Sequence, residues 1–441
     1  MPRHTALRRS SFLLLVASAL LFTNRPAFAQ FTIEEEPIRY GQRQVDDPLA
    51  QLQKKLDAGN AKLKYHYEFG YLPAILEALD VPVSSQVLVF AKTSFQRPHI
   101  SPRTPRALYF NDDIYIGYVQ NGDVLEFSAV DPQQGAVFYS LDQQKSEQPR
   151  FTRQTDRCLI CHSSSRTEGI PGHVVRSVFP DRNGMPLFGA GTFTIDHRSP
   201  LKKRWGGWYV TGTSGKQTHM GNMTVKDRRF PEKFDPAAGS NVTKLDDFFD
   251  TKRYVSPHSD IVSLMVMEHQ TRMHNMLTHA NYQSRMAIHY EDIINKALDR
   301  PADHRSESTT RRFSHAGEKV LKCLLFSEET ELVSPIVGTS AFTKEFATQG
   351  PADTQGRRLR DFDLKKRIFK YPCSYLIYSR TFNDLPKPVK AYVYKRLHEV
   401  LTGADETEEF AHLSATDRQA ILEILRETRR DLPKTWRAEK P

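Results

Sequence analysis

Between residues 106 and 141, short apolar runs alternate with turn sequences. "RALYF", "IYIGYV", "VLEFSAV" and "AVFYSL" are separated by "NDD", "QNGD" and "DPQQG". Runs rich in β-branched and aromatic residues, broken by Asn, Asp and Gly, predict a meander of antiparallel strands. "QVLVFAKTSF" before the meander is a further strand candidate, as are "HVVRSVF", "PLFGAGTFTI" and "GWYVTGT" after it. Ahead of them, the polar Gln/Lys-rich residues 30–70 read as a helical lead-in and "GYLPAILEALDV" as one short helix.

Past Asn222 the period changes. "SDIVSLMVMEHQTRMHNMLTHANYQSRMAIHYEDIINKALD" reads as one long helix opening at a Ser259/Asp260 cap, with Ile261, Met265, Met273, Met276 and Ala280 in its apolar stripe. "PADHRSESTTRRFSHAG" reads as a linker. Further helices are expected at "EKVLKCLLF", at "PVKAYVYKRLHEVLTG" with Gly403 as its stop, and at "SATDRQAILEILRETRR", where Ser414 and Asp417 form a capping box. The pattern predicts an α+β fold, with a β-rich domain over 30–245 followed by a mostly helical domain over 246–441.

The first 29 residues do not belong to that pattern. A basic start, "MPRHTALRRSS", leads into "FLLLVASALLF" and a small-x-small sequence ending at Ala29. The apolar run is too short to span a bilayer comfortably, so 1–29 reads as a secretory signal peptide and the mature chain as periplasmic or secreted. Its four arginines account for four of the ten net positive charges and leave +6 on residues 30–441. Acids and bases are interspersed there, without the dense basic stripe that nucleic-acid binding requires.

Composition alone assigns no chemistry, but residues 156–165, "DRCLICHSSS", do. In Cys-x-x-Cys-His, two thiols on one helical turn can form thioethers with the two haem vinyl groups, and the next residue offers an imidazole to the iron. Cys158 and Cys161 are thus the expected covalent anchors and His162 the proximal iron ligand. A redox dithiol and a metal site are the alternatives. Zinc would require four ligands, which adjacent Cys161 and His162 cannot easily supply together, and a thioredoxin-like dithiol would want a βα context. Export favours haem c, which is attached outside the cytoplasm and implies haem-attachment machinery as a partner.

"CLICH" resembles the motif of c-type cytochromes. "PRALYFNDDIYIGYVQNGD", "RWGGWYVTGTSGKQTHMGN" and "KYPCSYLIYS" are similar to runs in a family of exported bacterial proteins that carry one such motif, a likeness that implies haem binding and brings no established activity. The chain departs from small cytochromes c. Its motif is central, and no Gly-Pro-x-Leu run follows, "GIPGH" being a loose echo. A fold other than the standard small all-α cytochrome is therefore expected.

A low-spin electron carrier needs a sixth iron ligand, usually Met or His. Met220 in the Gly-rich "TGTSGKQTHMGNM" is the first candidate, with His219 and His173 as alternatives. In the long helix, His269 and His274 are weaker candidates for acid–base work over an open iron, and a satisfied core histidine is the plainer reading of either. Met265, Met267, Met273 and Met276 read as core filling, and Cys323 and Cys373 as a pair whose bridging the sequence leaves open. The sequence therefore predicts a mono-haem protein passing single electrons to an unidentified redox partner. A peroxidase-like haem enzyme and a haem-based sensor without turnover are the alternatives.

Overall fold

A computed structural model describes residues 33–436 apart from 232 and 234, so the signal-peptide reading of 1–29 lies outside the described residues. The strands are β1 (Val87–Val89), β2 (Arg106–Phe110), β3 (Ile114–Tyr118), β4 (Val124–Asp131), β5 (Gly135–Asp142), β6 (Thr152–Gln154), β7 (Arg176–Val178), β8 (Thr192–Thr194), β9 (Trp208–Tyr209), β10 (Gly212–Thr213) and β11 (Val337–Gly338). The helices are α1 (Pro48–Asp57), α2 (Leu72–Ala78), α3 (Leu159–His162), α4 (Pro236–Gly239), α5 (Ile261–Ala297), α6 (Glu307–Leu324), α7 (Phe342–Ala347), α8 (Arg380–Asn383), α9 (Lys387–Leu401) and α10 (Ala415–Thr428). The fold is α+β, with the sheet in the first half of the chain and most of the helix in the second.

The meander forms where the alternation predicts. Seven strands pair in the order β6-β5-β4-β3-β2-β1-β9, each neighbour antiparallel. Because side chains alternate across a strand, the register sorts the sheet into two faces. Ala107, Ile116, Phe127 and Tyr139 point one way and are buried against Leu49, Leu52, Leu72 and Ile75 of α1 and α2. Phe110, Tyr115 and Val130 point the other way, into a larger core shared with α5, α6 and α9. The described residues form one compact unit, and that core joins Val87 and Trp205 of the β-rich half to Leu264, Leu324 and Leu397 of the helical half.

Helix α5 is the axis of this packing. From Ile261 to Ala280 every residue except Arg272 is buried, including Met265, Met267, Met273 and Met276, which fill the core. Its start is fixed by Asp260, whose Oδ1 accepts from Val262 N while Oδ2 accepts from Thr339 N and Ser340 N at 2.8 and 2.7 Å. A helix buried all round must also satisfy its polar side chains, since an unpaired buried group costs about 1–3 kcal/mol. Gln270 donates to Tyr115 Oη at 2.9 Å and accepts from Tyr375 Oη at 2.6 Å. Glu268 accepts from Arg204 at 2.8 Å and from Trp205 Nε1 at 2.6 Å, all three residues being almost inaccessible.

Two expectations are corrected. The stretch read as a linker is largely helix: α6 begins at Glu307, inside "PADHRSESTTRRFSHAG". Ser306 caps it by accepting from Thr309 N, and its hydroxyl donates to Glu291 of α5 at 2.7 Å, so a polar sequence is held helical by a cap and a neighbour. The lead-in is helical only over Pro48–Asp57, starting at Asp47, which accepts from Leu49 N and Ala50 N. The Ser414/Asp417 capping box and the Gly403 stop, at φ +77°, form as expected.

The Glu268–Arg204 pair sets up a stability test. Glu268→Gln leaves Arg204 buried without its counter-charge and is expected to destabilise the fold by about 3–5 kcal/mol in chemical denaturation. Replacing both partners with apolar residues, Arg204→Met with Glu268→Leu, is expected to recover most of that loss, because both desolvation costs disappear together.

Candidate functional site

The Cys-x-x-Cys-His sequence follows β6 directly and forms the single turn α3. His162 N donates to Cys158 O at 3.0 Å and Cys161 N to the same carbonyl at 3.3 Å, so the two thiols, three residues apart, lie on one side of a helical turn. Cys158 is half-buried and Cys161 exposed. Burial, with the nearby carboxylates of Glu126 and Asp156 assisting, pushes the Cys158 thiol from 9.0 up to about 11.

The chain then doubles back. Ser164 and Thr167 close a small capping box, Glu168 turns left-handed at φ +57°, and Thr167 Oγ1 donates to Ile170 O at 2.7 Å. This returns Gly172 to His162. Gly172 N donates to His162 O at 2.8 Å, and His162 Nδ1 bonds Gly172 O at 2.9 Å. A carbonyl can only accept, so Nδ1 carries the proton and Nε2 is the bare nitrogen. Fixing one imidazole nitrogen on a backbone carbonyl sets the tautomer and aims the other, the arrangement that metal-ligating histidines use. Burial lowers the His162 pKa and the Gly172 carbonyl partly restores it, so the ring is neutral and ready to donate a lone pair.

Gly172 is itself held by α5. Asn275 accepts from His173 N at 2.8 Å and donates to His173 O at 2.7 Å, a two-point clamp on the backbone of the neighbouring residue. A Cβ at position 172 would stand 2.5 Å from Asn275 Oδ1, so the clamp requires glycine there.

The turn lies near the less covered half of the sheet. Leu108, Gly117, Glu126 and Ser140 line up across β2 to β5 on one face, with Arg106 two residues from Leu108; Leu108, Glu126 and Arg106 are half-buried. Arg106 bonds Glu126 at 2.7 Å, and both act electrostatically on Cys158 and His162. Gly117 leaves the central strand bare beneath the guanidinium, since a Cβ there would meet Arg106 Nη2 at 2.5 Å. The His162 ring packs 4.7 Å from Phe138 on the same face. Arg176 of β7 feels the charge of Cys161 and stands over the exposed Phe188 ring at 5.3 Å. Two thiols on one turn, a bare imidazole nitrogen and partly open apolar surface fit covalent haem: Cys158 and Cys161 would hold the porphyrin and His162 the iron.

The other candidates are placed as follows. Met220 is buried, and its sulfur accepts from Ser177 Oγ at 3.6 Å. His219 is buried edge-on to Trp205, its Nδ1 accepting from Gly221 N at 3.1 Å. His173 Nε2 bonds Ser128 Oγ at 2.8 Å, and the ring belongs to the segment that His162 Nδ1 faces. None of the three makes a hydrogen bond or ring contact with His162. His269 bonds Ser374 Oγ through Nε2 at 2.7 Å and faces His197 through Nδ1 at 3.3 Å, while His274 packs edge-on to Tyr115. Cys323 and Cys373 are buried free thiols. Gly172, Asn275, Gly117, Arg106 and Glu126 escaped the sequence reading. Arg106 and Glu126 carried a signal, as charges on the partly open face of an otherwise apolar meander.

In chain without haem, thiol-specific labelling should modify Cys161 first. The raised pKa of Cys158 should slow it about a hundredfold relative to an ordinary thiol, and Cys323 and Cys373 should react only after unfolding. Peptide mapping of a time course reads this order directly.

Among the described residues no helix is long and apolar enough to cross a membrane. No family model, no curated protein and no solved structure matches the chain.

Proposed function

We propose that this chain is an exported mono-haem c-type protein that passes single electrons. The observation that carries the reading is the hydrogen bond from His162 Nδ1 to the Gly172 carbonyl, inside a Cys-x-x-Cys-His turn set against a partly open sheet face. It leaves Nε2 bare for iron while the two thiols remain free for attachment. Haem bound there supplies a one-electron couple between ferric and ferrous iron. The chain's own residues then do three things. Cys158 and Cys161 prevent loss of the group, the Gly172 carbonyl strengthens His162 as a donor, and the Asn275 clamp keeps that carbonyl in place.

The surface around the turn supports an encounter with a protein partner. Ile160 is 74% exposed between Arg157 and Arg166, both exposed, with the exposed Phe188 ring beside Arg176. An apolar centre rimmed by guanidinium groups suits brief contact with an acidic redox protein. A second reading, an iron with an exchangeable sixth position serving peroxide chemistry or small-ligand sensing, is favoured by one observation: Met220, His219 and His173 each have an internal partner. Carbon monoxide binding to the reduced protein separates the two, since a carrier with a firm sixth ligand resists it.

The deciding experiment is a pyridine haemochrome spectrum on protein matured with a haem-attachment system, after acid–acetone extraction. A c-type band should survive extraction, weaken in Cys158→Ala and vanish in Cys158→Ala/Cys161→Ala. Full covalent loading of the double variant would rule the attachment out. Asn275→Ala, which loosens the carbonyl that orients His162, should leave the thioethers formed but make the iron more readily displaced by imidazole, by about tenfold or more in apparent affinity.

A further inference from the structure

We propose that His197, His269 and Cys323 form a second metal centre that binds one copper(I) ion, independently of the haem reading. The three residues come from the segment after β8, from α5 and from α6, and their ligating atoms all lie within 4.8 Å of one another. All are buried, at 0%, 0% and 4% exposure. Nothing in the Cys-x-x-Cys-His site uses them.

The separation of the two imidazoles is one that a single bound ion can bridge. His197 Nδ1 and His269 Nδ1 face each other at 3.3 Å. Two nitrogens about 2.0–2.1 Å from one ion, at an angle between tetrahedral and trigonal, stand about 3.3–3.6 Å apart. His269 Nε2 is tied to Ser374 Oγ at 2.7 Å, which orients the ring with Nδ1 toward the cluster, as metal-bound histidines are oriented by their second nitrogen. The Phe326 ring stacks on His269 at 4.0 Å and stands 5.2 Å from His197, walling the cluster with apolar surface.

The donor set selects copper(I). One thiolate and two imidazoles form a soft set, and three ligands suffice for copper, whereas structural zinc takes four. Met265 and Met273 lie four residues on either side of His269, placing thioethers on the same helix face. A cavity of about 580 Å³ is lined by Asp196 and Arg198, the sequence neighbours of His197.

The test is anaerobic titration of the full-length chain with copper(I) against a competing chelator, with copper counted by mass spectrometry and iron counted separately. Because a reduced Cys-x-x-Cys can itself hold copper(I), a Cys158→Ser/Cys161→Ser variant is titrated in parallel. The expected result is about one copper per chain in both proteins, and an affinity lowered by more than about a hundredfold in Cys323→Ser but unchanged in Cys373→Ser. Should Cys323→Ser fail to fold, X-ray absorption of the copper-loaded parent should show one sulfur and two imidazole nitrogens. Copper lost from the Cys158→Ser/Cys161→Ser variant, copper unaffected by Cys323→Ser, or zinc bound at the cluster in preference to copper would each overturn the proposal.

Discussion

The structure turns on burying one long helix that is polar as well as apolar. Helix α5 enters the core with Glu268, His269, Gln270 and Asn275 among its methionines, and each of these four side chains has to find a hydrogen-bond partner inside the protein. That requirement recruits the rest of the fold. Arg204 and Trp205 are drawn in by Glu268, Tyr115 and Tyr375 by Gln270, and the backbone of His173 by Asn275. The last of these reaches the chemistry. By clamping residue 173, Asn275 fixes the Gly172 carbonyl, and the carbonyl fixes the tautomer and direction of His162. The imidazole is oriented by a helix more than a hundred residues away in sequence.

The sheet contributes a complementary constraint. Its closed face is apolar and sealed by α1 and α2, so the register cannot slip by one residue without exposing Tyr109, Ile116 and Phe127. A fixed register in turn places Arg106, Gly117 and Glu126 side by side on the other face, near the thiols. That face is shared. One end, with Phe110 and Tyr115, is covered by the helical core, and the other stays partly open. Closed packing behind and accessible surface in front would give the proposed haem a rigid bed with one edge toward solvent, as the proposed exchange of electrons requires.

Helix α5 also links the two proposed sites. Asn275 serves the Cys-x-x-Cys-His turn and His269 serves the cluster with His197 and Cys323, six residues apart on one rigid element. Rigidity is what both need, because an imidazole that wanders loses its advantage as a ligand.

How much of this was legible in the sequence varied with the range of the interaction. The meander was readable because turn residues and alternating apolar positions are local signals, and so were the Asp260 start of α5 and the Ser414/Asp417 box of α10. The thiols and His162 were legible because one helical turn contains all three. The start of α6 was missed because Ser306 works there together with Glu291 on another helix, and a polar stretch looks like a linker until its neighbour is known. The clamp on Gly172 and the cluster of His197, His269 and Cys323 were not legible at all. Their members are separated by 54 or more residues, and only packing brings them together. The sequence by itself determined the elements and the covalent chemistry on offer, since both are written in neighbouring residues. Tertiary structure alone decided which carbonyl orients His162, which face of the sheet stays open and which buried side chains meet, because those depend on how α5 is enclosed.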